Sequence, residues 1–370
     1  MTDGSALQRA LPRAAYVDDA VWAQERERIF AHQWFAVART EDVEGPGDYL
    51  AVDVAGESVL LVRDGEGHLR GFYNLCRHRG STLVDPDPDG APCSGHLAGG
   101  IRCPYHAWTY GLDGRLKRAP FVAEVDHDAF GLHPVGVDTW GGWVFVHLTP
   151  DAAGPLADQL GPIPERVRRY PLAELRRGEQ VVYDVAANWK VIAENFNECY
   201  HCGPVHPELC DLVPAFRGGL DIDWEGGVPH REGAWTFTES GTSERAPFPE
   251  LDDDERVRHK GELVYPNVLL SLAAEHVAAL VLTPLGPGRT RVVGEFLFAP
   301  DELDRPGFDP ADAVTFWDRI NRQDWRACER VQRGIGSRAH THGWFAPMED
   351  ESADIRRWYG RMFPEALPDA

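Results

Sequence analysis

Two cysteine–histidine pairs in the first third of the chain have the spacing of metal ligands. Cys76 and His78 form a Cys-x-His tripeptide, and Cys103 and His106 form a Cys-x-x-His tetrad. Two thiolates and two imidazoles on adjacent hairpins can bind zinc tetrahedrally. They can equally bind a Rieske [2Fe–2S] cluster, in which the cysteines hold one iron and the histidines hold the other. The ligand types predict a metal centre and leave both metals open.

A second Cys-x-x-His tetrad, Cys93–His96, competes with the tetrad at Cys103. It lies in a polar, glycine-rich insertion, DPDPDGAPCSGHLAGG, which predicts a flexible loop. Cys103 instead lies between strand-like runs, and the aromatic residues after it can exclude water. We therefore expect the metal at Cys103, with Cys93 a free thiol and His96 a surface residue.

Two further histidines, His201 and His206, are five residues apart in NWKVIAENFNECYHCGPVHPEL, which has helical spacing. An ideal helix would point them in different directions. Gly203-Pro204 lies between them and predicts a break that turns His206 back beside His201. Two imidazoles held in this way suit a metal with open coordination positions, and packing with hydrogen bonding is the alternative.

A carboxylate to accompany these histidines is predicted in the long helical stretch 311–336. Its apolar positions step by three, eight, three and four residues, and Asp324 fills the gap of eight. A buried carboxylate is costly unless it is paired or binds a metal. Asp324 is therefore the best third ligand of a 2-His-1-carboxylate iron site, although an Arg or Tyr partner would also explain it. The apolar positions of the stripe are Trp317, Ile320, Cys328, Val331 and Ile335.

The elements that carry these residues divide into an all-β part and a mixed part. Residues 40–150 alternate in short runs separated by turn signals, which predicts a small β domain. A Pro/Gly-rich joint follows, and residues 151–370 combine strand-like runs such as VPHREGAWTFTES with long helices. Residues 1–39 are predicted to be a helical segment that packs on this last domain. The fold class is therefore α+β.

The motifs together resemble the α-subunits of Rieske non-heme iron oxygenases. "CRHRGSTL" and "CPYHAWTYGLDGRL" are similar to their Rieske domain, and "ENFNECYHCGPVHP" with the later "QDW" is similar to their catalytic domain. The resemblance implies an all-β Rieske domain plus a helix-grip (START-like) catalytic domain with an antiparallel sheet and C-terminal helices. It also implies the metal ligands. Cys76 and Cys103 would bind one iron of the [2Fe–2S] cluster, His78 and His106 the other, and His201, His206 and Asp324 a mononuclear Fe(II).

Glu198 takes its expected role from the same resemblance. It precedes His201 by three residues, so it would share a helical face with it. In that family an acid at this position bridges the mononuclear site to the Rieske histidine of a neighbouring subunit, so the resemblance implies a homotrimer. A glutamate at this position resembles the glycine betaine, carnitine and stachydrine group. The implied activity is hydroxylation and N-demethylation of a small quaternary ammonium compound with O2, as a monooxygenase rather than a dioxygenase.

Electrons are expected from NAD(P)H through a separate flavin or ferredoxin-type reductase, because no nucleotide-binding glycine motif is present. Hydroxylation of an aromatic substrate at the same metals is the rival activity. A Rieske protein that only transfers electrons or senses redox state is the rival of another class.

Composition limits the partners and the location. The formal net charge of −22, with scattered basic residues, argues against nucleic acid. No signal-peptide-like or membrane-spanning run is present, and seven cysteines suggest a reducing compartment, so a cytoplasmic protein is expected. Cys199, Cys202 and Cys210 are interpreted as packing thiols. Aromatic residues available to a cation-binding cavity include Trp235, Phe237, Tyr265 and Trp344.

Overall fold

The computed structural model describes residues 7–54, 56–85, 92–218 and 225–366. The chain divides into two compact units. The smaller unit is Phe30–Gln159, and the larger unit combines the segment up to Ile29 with the residues from Leu160 onward. The predicted boundaries followed residues 39 and 150, and the joins between the two units follow residues 29 and 159.

The strands are named in chain order. They are β1 (Gln8–Pro12), β2 (Phe35–Arg39), β3 (Asp48–Val54), β4 (Glu57–Arg63), β5 (Leu69–Tyr73), β6 (Cys93–His96), β7 (Ile101–Arg102), β8 (Thr109–Tyr110), β9 (Leu116–Arg118), β10 (Gly136–Trp140), β11 (Trp143–His147), β12 (Arg176–Val185), β13 (Val228–Pro229), β14 (Arg258–Val264), β15 (Val268–Leu272), β16 (His276–Gly286), β17 (Arg289–Phe298) and β18 (His342–Phe345).

The α-helices are named in the same way. They are α1 (Ala14–Val17), α2 (Asp19–Glu25), α3 (Leu156–Leu160), α4 (Ile163–Arg166), α5 (Trp189–Phe196), α6 (Cys202–Val205), α7 (Pro207–Leu212), α8 (Pro300–Leu303), α9 (Ala311–Ile335) and α10 (Asp350–Met362). A π-helical turn, Arg26–Phe30, continues α2. Short 3-10 turns lie at Thr40–Val43, Pro150–Ala152, Pro214–Arg217, Glu255–Val257, Pro347–Glu349 and Pro364–Ala366. Within the described ranges, no helix has both the length and the apolar character needed to span a bilayer.

The smaller unit consists of three small antiparallel sheets. Their strand orders are β10-β11-β2, β5-β4-β3-β6 and β7-β8-β9. The competing tetrad Cys93–His96 is strand β6, paired with β3, so the expectation of a loop there was wrong for these residues. Cys93 is a free thiol as predicted, and the exposed His96 ring lies 3.1 Å from Asp48. Residues 86–91 of the insertion lie outside the described residues.

The larger unit is built on a six-stranded antiparallel sheet of order β12-β17-β16-β15-β14-β13. Every residue of its central strand β15 is buried, so this strand does not alternate between buried and exposed positions. The long helix α9 packs on this sheet, with Trp325 against Tyr183 of β12. Its buried stripe includes Trp317, Ile320, Cys328 and Ile335 as predicted. Val331 is half exposed, so its placement in the stripe was wrong.

Two expected elements of the larger unit are shorter than predicted. The helix that begins after the Asn188 N-cap ends at Phe196, and residues 197–201 form a turn. Gly203-Pro204 lies inside the short helix α6, and the chain changes direction at His206 (φ −124°, ψ 66°) instead. The run VPHREGAWTFTES contributes only the two-residue strand β13. The rest of that run is turn and loop.

The N-terminal helices belong to the larger unit and are tied to it by a buried ion pair. Glu25 and Lys190 are 1% and 0% exposed, and their charged atoms lie 2.6 Å apart. Glu25 also accepts hydrogen bonds from the Trp189 indole at 3.2 Å and the Tyr359 hydroxyl at 2.8 Å. These partners offset the cost of burying the two charges. The pair therefore holds α2 against α5 and α10.

Candidate active site

His201, His206 and Asp324 converge in the larger unit. Asp324 Oδ1 lies 3.2 Å from His201 Nε2 and 2.8 Å from His206 Nε2. The two imidazole rings are 5.1 Å apart between centroids. One potential ligand atom from each residue lies within 4.8 Å of the others. Two imidazole nitrogens and one carboxylate on one side of a metal are the donor set of non-heme Fe(II) oxygenases.

The other nitrogen of each ring is bound by a second side chain. Glu198 Oε1 lies 2.5 Å from His201 Nδ1, and Gln323 Oε1 lies 2.7 Å from His206 Nδ1. Gln323 in turn donates its amide to Glu208 at 3.3 Å. Because the acceptor oxygens hold protons on both Nδ1 atoms, the two Nε2 atoms that face Asp324 are the ones available to a metal. The residues therefore fit a metal at this point.

The charge distribution of the site also favours a cation. Burial alone would lower the pKa of His201, but its bonds to Asp324 and Glu198 raise it to about 10. Burial alone would raise the pKa of Asp324, but its bonds to the two histidines lower it to about 2. The two carboxylates beside these rings therefore favour a positive charge at this point. A bound dication would replace the proton that these pKa shifts retain.

Glu198 reaches its position through the turn and not through a helical face. Its Oε2 accepts hydrogen bonds from the backbone N–H groups of Tyr200 and His201. These bonds fix the carboxylate at the start of the next helical segment. The sequence-based expectation placed Glu198 beside His201 correctly, but the reason was wrong because α5 has already ended.

In the smaller unit, Cys76, His78, Cys103 and His106 also come together. The two buried thiols are within hydrogen-bonding reach of each other. The two exposed imidazole rings are 4.7 Å apart between centroids, and His78 stacks on Trp108. A buried pair of sulfurs and an exposed pair of imidazoles is an arrangement that a Rieske cluster can use.

Local hydrogen bonds prepare the two thiols differently. Burial raises the pKa of Cys76. Burial also raises the pKa of Cys103, but hydrogen bonds from the backbone N–H groups of Tyr105 and His106 oppose it, and the pKa of that thiol is lowered. Tyr110, which is fully buried, places its hydroxyl 3.2 Å from Cys76 Sγ and accepts the backbone N–H of Arg77. Sequence reasoning did not identify Tyr110, although it is part of the quoted CPYHAWTY motif.

A cavity with about 760 Å³ of empty space, part of it open to solvent, adjoins the histidines and Asp324. Its floor is the sheet, where Gly261, Ser271 and Ala278 are paired neighbours on β14, β15 and β16. This row of small residues leaves room that larger side chains would fill. Helix α9 forms the opposite wall with Trp317, Asn321 and Trp325, among others.

The aromatic residues of the cavity differ from the four that the sequence offered as available. Besides His201 and His206, its aromatic lining consists of Phe196, Phe216, His259, Trp317 and Trp325. Phe237 packs behind this wall against Trp317, and Tyr265 lines a different depression. Trp344 is half exposed on β18, and Trp235 does not line the cavity. Spacing along the chain gave no signal for the correct set, because its members come from four separate elements.

Two cysteines beside the histidines were interpreted wrongly. Cys199 and Cys202 form a disulfide, and both line the cavity. The interpretation of these two residues as packing thiols is therefore corrected. Cys210 is a buried free thiol, as the packing interpretation requires. Spacing could not separate the two outcomes, because a three-residue separation is compatible with either.

Comparison with known families matches both units. The family model for the Rieske [2Fe–2S] domain matches residues 33–131. The model for the catalytic domain of the ring hydroxylating alpha subunit matches residues 172–365. The cofactors of the protein are accordingly a Rieske [2Fe–2S] cluster and a mononuclear iron.

Relatives extend the similarity over nearly the whole chain. The glycine betaine monooxygenase oxygenase subunit of Chromohalobacter salexigens is 31% identical, over 95% of this chain and 85% of the relative. The carnitine monooxygenase oxygenase subunit of Acinetobacter baumannii is 30% identical, over 89% of this chain and 86% of the relative.

Solved structures agree with this assignment. The quaternary ammonium Rieske monooxygenase CntA in complex with L-carnitine superposes with a TM-score of 0.74 at 26% identity, and its complex with γ-butyrobetaine with 0.75 at 25% identity. Each alignment covers 96% of both chains. The predicted family and fold class are thereby confirmed: the chain belongs to the Rieske non-heme iron oxygenase α-subunits, and it is an oxygenase subunit of the monooxygenase type.

Proposed function

We propose that this protein is the terminal oxygenase that hydroxylates an N-methyl group of a small, betaine-like quaternary ammonium compound and so removes it. The relatives named for glycine betaine and carnitine support this substrate class. The observation that carries the proposal is the lining of the cavity. It has four Phe and Trp rings and no Lys or Arg among the described residues. Aromatic faces attract a quaternary ammonium, which cannot donate a hydrogen bond.

His201, His206 and Asp324 are the residues we assign to the mononuclear iron. Cys76 and Cys103 would bind one iron of the cluster, and His78 and His106 the other. When bound, the mononuclear iron supplies dioxygen activation and the cluster supplies electrons to it. The protein's own contribution is orientation: Glu198 and Gln323 fix the two imidazoles, and the small residues of the cavity floor leave room for the substrate beside them.

The reaction balances as a monooxygenation. One oxygen atom of O2 is inserted into a C–H bond of the N-methyl group, and the other leaves as water with two electrons and two protons from outside. The resulting N-hydroxymethyl ammonium loses formaldehyde and a proton, and a tertiary amine remains. The electron source is a separate flavin or ferredoxin-type reductase that oxidises NAD(P)H, since the relatives are named as oxygenase subunits.

We further propose a cytoplasmic homotrimer in which Glu198 carries electrons from the cluster of a neighbouring subunit. The carboxylate contacts His201 through Oε1, and its side chain remains 10% exposed. A carboxylate that accepts hydrogen bonds from imidazoles on both sides orients them and provides a route for the electron. A solved structure of a quaternary ammonium Rieske monooxygenase gave insights into inter-subunit electron transfer in that protein, which is in keeping with this proposal.

The test is formaldehyde release coupled to oxygen uptake. Iron-loaded protein with NADH and a surrogate reductase is supplied with glycine betaine, L-carnitine, stachydrine and several aromatic acids. We expect formaldehyde in proportion to O2 consumed with at least one ammonium compound. Coupled O2 uptake with an aromatic acid alone, without formaldehyde, would favour ring hydroxylation and contradict the proposed substrate class.

A further inference from the structure

A disulfide encloses one of the proposed iron ligands and takes no part in the reaction proposed above. Cys199 and Cys202 are joined, and Tyr200 and His201 lie between them. Both cysteines line the cavity, and Cys202 Sγ lies 4.0 Å from His201 Nε2, the ring nitrogen that faces Asp324. An oxidisable sulfur therefore lies beside the nitrogen that we assign to the iron.

The spacing and the proposed location of the protein both indicate that this bond opens and closes. Cys-x-x-Cys is the spacing of dithiol–disulfide redox proteins, and residues 199–202 read CYHC. In the cytoplasm proposed for this protein, disulfides are usually transient and take part in catalysis or redox sensing. Each time such a pair closes, it supplies two electrons and two protons.

The turn that carries the pair is also held by bonds that do not involve sulfur. The Cys202 N–H donates to the Cys199 carbonyl at 3.2 Å. Glu198 Oε2 accepts the N–H groups of Tyr200 and His201, and its Oε1 lies 2.5 Å from His201 Nδ1. These bonds can hold the His201 ring in place whether the two sulfurs are joined or reduced. Opening the disulfide is therefore compatible with an intact metal site.

The pair is the only set of cysteines on this cavity among the described residues. Cys210 and Cys328 are buried free thiols of the same unit, and neither lines the cavity. The other three belong to the smaller unit, and they are Cys76, Cys93 and Cys103. Because the cavity is partly open to solvent, a small thiol compound can enter it and reduce the pair again.

We propose that the Cys199–Cys202 pair gives the protein a second activity, in which the two thiols complete the reduction of O2 to water when no substrate occupies the cavity. Two electrons and two protons from outside first bring O2 to the level of hydrogen peroxide. Cys202 Sγ then takes one oxygen atom as a sulfenic acid, and one water leaves. Cys199 displaces the second water as the disulfide forms.

The sum of these steps balances. O2, NADH, one proton and two thiols give two waters, NAD⁺ and one disulfide. A small thiol compound then reopens the disulfide by exchange. The inference rests on the iron and the electron supply of the proposed function, and not on its substrate.

The first test is disulfide formation without substrate. Holoenzyme is reduced with dithiothreitol, freed of it in the absence of air, and mixed with NADH, a surrogate reductase and air-saturated buffer. Differential alkylation and peptide mass spectrometry then identify the thiols that have been lost. We expect about one Cys199–Cys202 disulfide for each O2 consumed until the pair is closed, with little free H2O2 up to that point.

Single variants test the order of the two sulfurs. Cys199→Ser should stop at a sulfenic acid on Cys202, which dimedone traps. Cys202→Ser should give no dimedone adduct at Cys199, and it should release about fivefold more H2O2 than the wild type in the first turnover. Cys210→Ser is the matched control, because it makes the same change at a buried thiol away from the cavity. It should form the disulfide as the wild type does.

Asp324→Ala separates oxidation at the iron from oxidation by peroxide that the reductase releases into solution. It should lack the mononuclear iron and keep both thiols under the same conditions. Equal disulfide formation in this variant would overturn the inference. Thiols that stay reduced in the wild type, whether or not O2 is consumed, would overturn it even if no variant folded.

The second activity and the proposed function fail separately. If an ammonium compound releases formaldehyde while turnover without substrate leaves the pair reduced, the proposed function stands and the second activity falls. If the disulfide forms but no ammonium compound releases formaldehyde, the substrate class falls and the second activity stands.

Discussion

At the scale of single residues, the candidate iron site depends on the ring nitrogens that face away from Asp324. His206 is held by Gln323, and Gln323 is held by Glu208. An imidazole that lacks such a partner can rotate or change tautomer, and its affinity for a metal falls. Gln323 is therefore a positioning residue whose effect should appear in metal binding before it appears in chemistry.

Gln323→Leu should weaken mononuclear iron binding by about 10- to 100-fold, because the Nδ1 proton of His206 loses its acceptor. Iron retained after dialysis against a graded chelator measures this. Gln323→Glu keeps an acceptor oxygen and should retain iron nearly as the wild type does. Cluster iron serves as the internal reference, since its ligands lie in the other unit. Wild-type retention by the leucine variant would show that Gln323 does not orient the ring.

Tyr110→Phe should lower the reduction potential of the cluster by on the order of 50 mV, close to a tenfold change for one electron. The hydroxyl donates towards Cys76 Sγ, and this bond is stronger when the cluster carries the extra negative charge of the reduced state. A redox titration followed by absorbance gives the value. The control is Tyr73→Phe, whose hydroxyl donates to the Leu148 carbonyl instead. Equal potentials in both variants and the wild type would argue against the bond.

At the scale of elements, the end of α5 determines how the site is assembled. The helix stops at Phe196, and the turn that follows lets Glu198 accept two backbone N–H groups while it reaches His201. One turn earlier, Glu194 joins α5 to α1 through the Tyr16 hydroxyl at 2.5 Å. Burial of the carboxyl group raises the pKa of Glu194 to about 8.

This raised pKa predicts how stability depends on pH. The folded protein keeps the Glu194 proton up to about pH 8, and the unfolded chain releases it near 4.5. The folded state therefore binds more protons in this window, and stability falls as pH rises, by about 1.4 kcal/mol per pH unit from this group. Glu194→Gln should remove that slope, so its advantage in urea midpoint over the wild type should grow from pH 5 to pH 8.

The control for Glu194→Gln is Glu165→Gln, which makes the same substitution at an exposed position on α4. It should leave the pH dependence of the urea midpoint as in the wild type. Parallel curves for Glu194→Gln and the wild type would mean that Glu194 is already ionised in the folded protein near pH 7.

At the scale of the whole molecule, the two metal centres lie in separate units of the chain, and the proposed trimer pairs centres from different subunits. This can be tested by mixing subunits. Asp324→Ala should lack the mononuclear iron and keep the cluster, and Cys103→Ser should lack the cluster and keep the iron. Each alone should be inactive. Co-expressed, they should recover activity, because one subunit can supply electrons to the iron of the other.

Glu198→Ala in the Cys103→Ser subunit should abolish that recovery while leaving the iron content unchanged. The same change in the Asp324→Ala subunit should have little effect, since that subunit's iron is already missing. Failure of the two single variants to complement, with metal contents as expected, would place electron transfer within one chain and contradict the proposed bridge.

The sequence by itself determined the features that depend on local spacing. Cys-x-His singled out Cys76 and His78, and helical periodicity singled out Asp324, because ligand spacing and the 3.6-residue repeat are properties of nearby residues. Cys-x-x-His gave two candidate tetrads, and the flanking strand-like runs favoured Cys103 and His106. The α+β class followed from the two-residue alternation of hydrophobicity in residues 40–150 and from the combination of strand-like runs with helical repeats in residues 151–370.

Only the tertiary structure decided how distant residues meet. The cavity floor requires the register that pairs Gly261 with Ser271 and Ser271 with Ala278, and no local pattern encodes a register between strands. The same holds for the link from Gln323 to His206. The half-exposed Val331 shows the limit of periodicity, since a helix follows its stripe only where something packs against it.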